Sequence, residues 1–209
     1  MFPGAVNVTG VVHVGACGGE EIQEHINLGA KRIIWVEANQ ALIPDLLNNV
    51  MRHEEAESIV FPVACSDVDD QEVDFNILDD PGNRGCSSLF DLVPGSPLAP
   101  MYKGKVKVKT MTLDTIIKRS GFDYKDFQLL DMDVQGAELL VLDGAKELLK
   151  NINYICAELT FYNPDYENNP LSWEIVDYLD ELGFDHICNN YYPGVSAWGD
   201  GYFVRRELV

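Results

Sequence analysis

The chain is 209 residues long, with 34 acidic against 15 basic side chains, a formal net charge of −19 and 46% hydrophobic residues. That length and composition describe one globular domain with a full core, residues 1–209, and so negative a field works against nucleic acid and acidic membrane surfaces as partners. No apolar run approaches a membrane span, and "MFPGAVNVTG" has neither the basic start nor the apolar stretch of a signal peptide, so the expectation is a cytoplasmic protein.

The first third alternates strand and helix. Residues 11–15 read as a strand, 20–28 as a short helix with apolar Ile22, Ile26 and Leu28, and 32–37 as a buried strand. Residues 41–53 read as a helix and 58–65 as a third strand. Strand–helix–strand spacing of this kind implies a parallel sheet with right-handed crossovers. Two strands then follow with no helix between them, 72–78 and 105–111, the second with lysines at period two as on a solvated strand face. The segment that joins them is rich in Gly, Pro and Ser, and is read as a lid-like insertion over 79–104. Alternation resumes with a helix over 113–120, a strand over 127–133, a helix over 137–150, a strand over 153–159 and a helix over 171–182 stopped by Gly183. The two last strands, "FDHICN" and "GYFVRRE", lie too close in sequence for a crossover helix and are expected as an antiparallel hairpin. The fold class is α/β: about seven strands, mainly parallel, with an antiparallel C-terminal edge and a β insertion after the third strand.

The five cysteines are scattered, with no Cys-x-x-Cys pair, so structural zinc is not expected and the thiols read as free and mostly packed. His13, His25, His53 and His186 show no ligand spacing; His25 and His53 are read as helix surface residues and His13 as a satisfied core histidine with a possible base role. Asp131, Asp133, Glu158 and Asp200 are potential oxygen ligands that spacing does not support as a site. No metal is therefore assigned.

In a doubly wound sheet, ligands bind beyond the C-terminal ends of the strands. The first strand ends in Gly15-Ala16-Cys17-Gly18-Gly19, where the backbone can turn sharply and approach a ligand. The second ends at Glu37, 18 to 22 residues on from the outer glycines, where an acid accepts both ribose hydroxyls. A dinucleotide would place its pyrophosphate on the following helix, but Glu20 and Glu21 open that helix and repel phosphate. S-adenosyl-L-methionine, an adenosyl sulfonium without phosphate, fits instead.

The fourth parallel strand ends in Asp133-Val134-Gln135-Gly136-Ala137-Glu138, and here the chain resembles the FkbM-type methyltransferases, class I enzymes that use S-adenosylmethionine on a Rossmann-like fold. "HVGACGGEE", "VEAN", "VACSD", "CSSL", "TLDT", "AEL" and "WGDGYFVR" resemble further family segments in order, over nearly the whole chain. The departures are Ala38 where Pro is usual, His13 where many class I enzymes have an acid, and the acid Asp131. The resemblance implies that Gly15 and Gly19 shape the turn under the methionine end, that Glu37 holds the ribose, that Ser66 and Asp67 lie near the adenine, and that Asp133 sits between cofactor and acceptor. His13, Ala16, Ala38 and Asn39 complete the cofactor set; Asn83, Ser87, Ser88 and Trp198 face the acceptor.

Asp133 and Glu158 end neighbouring strands and are the expected catalytic residues, one taking the hydroxyl proton and the other orienting the hydroxyl. Aromatic residues of 161–166, with Tyr191, Tyr192 and Trp198, suit the wall of a flat or sugar-like acceptor site. The expected function is O-methyl transfer from S-adenosylmethionine to a hydroxyl of a small molecule or glycan. The alternatives are a nucleotide-cofactor-binding module without activity and an NAD-dependent dehydrogenase. Neither nucleic acid nor membrane is an expected partner, and the oligomeric state is open.

Overall fold

The computed structural model describes residues 4–79, 85–191 and 197–208. Its main sheet is built from β1 (Gly10–Val14), β2 (Arg32–Val36), β3 (Glu57–Phe61), β7 (Leu129–Met132), β8 (Tyr154–Thr160), β9 (Phe184–Tyr191) and β10 (Trp198–Arg205). They lie in the order β3-β2-β1-β7-β8-β10-β9, and β10 runs antiparallel to both its neighbours while the β3-to-β8 ladders are parallel. The order reverses beside β1, so the ends of β1 and β7 form the crevice where a ligand is expected. A second, three-stranded sheet joins β4 (Ala64–Cys65), β5 (Glu72–Leu78) and β6 (Tyr102–Met111).

Strand alternation divides the core into two layers. Val12, Val14, Ile34, Leu130, Ile155 and Phe203 pack against Ile116 and Ile117 of α3 (Leu113–Ser120), Val141 and Leu142 of α4 (Glu138–Asp143), and Ile175 and Leu179 of α5 (Ser172–Glu181). On the other face, Val11, Ile33 and Trp35 meet Ile22 of α1 (Ile22–Leu28) and Leu46 of α2 (Ile43–Val50). Each such fully buried side chain contributes ~1.5–3 kcal/mol. None of the helices among the described residues is long and apolar enough to cross a membrane.

Three expected elements differ. The strand over 58–65 is two strands in two sheets: Pro62 has no N–H to extend the ladder, the Val63 N–H turns back to the Phe61 carbonyl at 3.0 Å, and β4 pairs with Thr110 and Met111. The helix over 137–150 stops at Asp143. Gly144 follows, and a Cβ there would lie 2.2 Å from the Ser66 carbonyl oxygen. Asp114 then accepts the Glu147 and Leu148 N–H groups at 2.9 Å each, holding the next turn apart from α4. In the insertion, the Val93 N–H bonds to the Asp165 carbonyl, Glu167 N–H to Asp91, and Ser96 to the Asp165 carboxylate. Its described part is thus stitched to the segment after β8.

Candidate active site

Gly15 ends β1 with φ +83°, and its N–H and that of Ala16 both donate to the Val36 carbonyl, at 2.9 and 3.1 Å. A Cβ at Gly15 would stand 1.7 Å from the carbonyl oxygen of Asp133, so glycine is required by the neighbouring strand end itself. The Asp133 N–H completes the junction by donating to Val14 at 2.9 Å. The turn then brings the Cys17 N–H to Glu37 Oε2 at 2.8 Å, while Oε1 accepts the Asn39 N–H at 2.6 Å. Each carboxylate oxygen keeps a lone pair, the arrangement needed to accept paired vicinal hydroxyls. Burial pushes the Glu37 carboxyl up to about 7, against the pull of the two N–H groups.

From Glu37 a solvent-open slot enclosing about 510 Å³ runs to Asp133. Its apolar walls include Ala38, Leu42, Val63, Cys65, Phe75 and Leu89. Beyond Asp133 lies a larger, polar hollow of about 890 Å³, bounded by Glu158, Thr160, Asn163, Asp165, Tyr166 and Trp198. Asp133 borders both spaces.

Gln135 organises this junction. Its residue sits at φ +53°, and its amide Nε2 donates to Asp133 Oδ1 and Glu158 Oε2, each at 2.6 Å. Burial pushes Asp133 up to about 6, with the charges of Asp200 and Asp131 adding to it and the Gln135 hydrogen bond opposing it. Burial, then the charge of Asp133, holds Glu158 well above the usual carboxylate range. Two carboxyls held this close disfavour ionising together, and of the two it is Glu158 that the charge of Asp133 pushes further toward its neutral form.

The structure brings together Gly15, Glu37, Ala38, Asp133 and Ser87 on the slot, and Asp133, Glu158 and Trp198 on the hollow. Other expected positions lie elsewhere. Ala16 is fully buried among apolar side chains. Asn39 uses its N–H on Glu37 and its Oδ1 on the Ala41 N–H, so it positions the Glu37 carboxylate. Gly19 packs on Leu46 away from the slot. Ser66 is buried with its hydroxyl on Asp67, which is exposed; neither lines the slot, which Val63, Ala64 and Cys65 border at this point. Ser88 is fully buried: its hydroxyl donates to the Gln135 carbonyl at 2.7 Å and accepts the Phe90 N–H, so it holds the loop after Asp133 and offers nothing to an acceptor. Asn83, Arg84 and Tyr192 lie outside the described residues.

His13 faces the α1 side of the sheet, stacked on Trp35 at 5.3 Å. His25, expected on the surface, is buried there with it, and His13 Nδ1 and His25 Nε2 are 2.9 Å apart. Burial lowers both imidazoles to about 4, so both are neutral. They line a broad trough with Asp131, Cys156, Asp200 and the three acids Glu20, Glu21 and Glu24. Gln135 and the slot's apolar walls were not singled out from sequence; the Gln of the Asp133 motif was the available signal for the first.

A comparison with curated proteins by sequence gives no match. By fold, the chain is similar to the crystal structure of methyltransferase FkbM from Methylobacillus flagellatus KT, with TM-score 0.62 and 15% identity over 96% of this chain and 44% of that one. It is also similar to Sp1610 of Streptococcus pneumoniae, provisionally described as a tRNA (m1A22) methyltransferase (TM-score 0.54, 10% identity, 97% and 66% of the two chains). TrmK of M. capricolum bound to S-adenosyl-homocysteine gives 0.53, 10%, 96% and 63%. The chain thus spans under half the length of the first and about two thirds of the others. The fold is the Rossmann-like fold of class I methyltransferases. The profile of the methyltransferase FkbM domain matches residues 13–185, most of the sequence, and the chain belongs to the FkbM methyltransferase family.

Proposed function

We propose that the protein transfers a methyl group from S-adenosyl-L-methionine to a hydroxyl of a small molecule or glycan. The observation that carries this reading is the position of Asp133, between an apolar-walled slot that starts at a ribose-type acid and a polar hollow that holds a second carboxyl. In the slot, Glu37 accepts the ribose hydroxyls and the apolar walls sandwich the adenine. The sulfonium lies toward Asp133, where anionic side chains favour a cation.

The chemistry is an in-line displacement: the acceptor oxygen forms a bond to the methyl carbon as the carbon–sulfur bond breaks, and the electron pair stays on sulfur. Alignment of the two partners is worth ~7–11 kcal/mol of barrier. Asp133, the ionised member of the pair, takes the hydroxyl proton, and protonated Glu158 orients the acceptor by donating to it. A positioned base contributes roughly 10²–10⁴-fold. Gln135 bridges the pair and holds it in one geometry.

A dehydrogenase is disfavoured by the turn itself. The Gly18 N–H, which a pyrophosphate would use, is occupied by the Glu20 carboxylate at 2.9 Å. A hollow edged by Asp133 and Asp165 also repels a phosphate-bearing acceptor, and the net charge of −19 acts in the same sense. Isothermal titration with S-adenosylmethionine, S-adenosylhomocysteine and NAD, followed by a screen of sugars, metabolites and tRNA for radioactive methyl uptake, tests the proposal. Binding of the first two without NAD, and uptake by a hydroxyl compound, is expected. NAD binding alone, or uptake only into tRNA, overturns it; cofactor binding with no uptake by any acceptor favours the non-catalytic module.

A further inference from the structure

We propose that His13, His25 and Asp131 bind one divalent transition-metal cation of the zinc class, on the α1 side of the sheet beneath the Asp133–Glu158 pair. The sheet register assembles the site. Trp35, His13, Asp131, Cys156 and Tyr202 are successive cross-strand partners on β2, β1, β7, β8 and β10, and so form one row on one face. Helix α1 lays His25 over this row beside His13.

Three ligand atoms converge. His13 Nδ1 and His25 Nε2 are 2.9 Å apart, and Asp131 Oδ2 stands 3.9 and 3.8 Å from them. A triangle with those sides has a circumscribed radius of about 2.1 Å, so one point lies at a zinc–nitrogen or zinc–oxygen bond length from all three atoms. Reaching it replaces the hydrogen bond between the rings with two metal bonds. The donors sit on three packed elements, and both rings are held against Trp35, at 5.3 and 5.5 Å.

The buried cluster is also incompletely satisfied. Among the described residues, His25 Nδ1 has no hydrogen-bond partner although the residue is only 2% exposed. Buried polar groups are otherwise paired; Nδ1 is the ring nitrogen opposite the ligand atom Nε2, and a cation on Nε2 fixes it as the N–H. Two imidazoles and one carboxylate select a borderline cation over magnesium or calcium, which prefer all-oxygen shells. The approach is through the trough, past Glu20, Glu21, Glu24 and Asp200, whose charges attract a cation.

The test uses the tag-free chain after dialysis against a chelator. Calorimetric titration with zinc is expected to show one ion per chain at micromolar affinity or tighter, with no competition from excess magnesium. His25→Gln and Asp131→Asn should each weaken binding roughly 100-fold or more, with far-ultraviolet circular dichroism confirming that they fold. Cobalt(II) bound to the wild-type chain should show visible bands of a nitrogen and oxygen environment, a signature independent of any variant. Absence of zinc binding, undiminished binding in both variants, or a thiolate-to-cobalt charge-transfer band that places the ion on cysteine overturns the proposal. None of these readouts involves methyl transfer, so their failure leaves the reading of the active site where it stands, and failure of that reading leaves the metal site untouched.

Discussion

The carboxyl of Glu37, lifted to about 7 by burial, makes cofactor affinity depend on pH in a stated direction. Ribose hydroxyls donate to the ionised form and stabilise it, so binding lowers the carboxyl's pKa, releases a proton and tightens as pH rises. A group titrating near 7 is ionised in about nine molecules of ten at pH 8 and about one of ten at pH 6. If only the ionised form binds, affinity for S-adenosylmethionine falls about tenfold between those two values, or ~1.4 kcal/mol. Asp133, at about 6, acts in the same direction at lower pH, so the slope above pH 7 belongs chiefly to Glu37. The control is Glu37→Gln. Its amide cannot accept both the Cys17 and Asn39 N–H groups, and loss of hydrogen bonds to a charged acceptor costs about 1.5–3 kcal/mol, roughly 10–100-fold in affinity. Calorimetry at pH 6, 7 and 8, in buffers of different ionisation enthalpy, measures both affinity and protons released. A wild-type affinity that is flat across this range, with no proton released at pH 7, would refute the role given to Glu37.

The remaining expectations concern the catalytic pair, the junction and the acid cluster. Asp133→Asn and Glu158→Gln should each lower kcat roughly 10²–10⁴-fold, with cofactor affinity within a few-fold of wild type for Glu158→Gln and weakened for Asp133→Asn, which removes the charge facing the sulfonium; normal turnover in Glu158→Gln would show that the acceptor is oriented by another group. Gly15→Ala meets both a positive φ and the Asp133 carbonyl, and should cost about 2–4 kcal/mol in urea unfolding; Gly104→Ala, at φ +124° with open space around it, should cost only about 1–2 kcal/mol. Ser88→Ala removes the bond to the Gln135 carbonyl, about 1 kcal/mol of stability, and should raise the acceptor KM more than it lowers kcat. Glu37 and Glu138 at about 7 and Asp133 at about 6 all lie above their unfolded values because of burial. The neutral forms stabilise the fold, so that contribution is complete below about pH 4.5 and is lost as pH rises through about 7. The urea midpoint of the ligand-free chain should therefore be higher at pH 5.5 than at pH 8; the opposite order would mean that other groups dominate.

What was legible in the sequence was what depends on local period and on strand ends. Alternating apolar strands and the glycine turn gave the parallel sheet, and the acids that close β2 and β7, Glu37 and Asp133, fell on the slot because a strand's last residue is fixed by the strand. His25 was missed although the signal existed. It lies three residues after Ile22, on the inward face of α1, and only its polarity argued for the surface. Ser66 and Asp67 were placed by the resemblance of "VACSD" to a family segment, and the strand read over 58–65 breaks at Pro62, which sends the residues after it to the second sheet. The bond from Ser88 to Gln135 spans 47 positions and leaves no trace in local pattern.

The same limit explains why the acids could be suspected but not assembled. Asp131 and Asp133 share a face of β7, as do Cys156 and Glu158 on β8, and Asp200 and Tyr202 on β10, each by period two. Whether those pairs meet depends on register. The ladders set Asp131 opposite Cys156 and Glu158 opposite Asp200. A slip of one residue in β8 would exchange Glu158 for an apolar neighbour and turn its carboxyl toward the layer of Ile175 and Leu179. The register is held by that apolar layer, through Ile155, Ala157 and Leu159 on the opposite face. The packing of α3, α4 and α5 against one side of the sheet is thus what brings Glu158 beside Asp133 on the other, and it is not readable from the spacing of the acids.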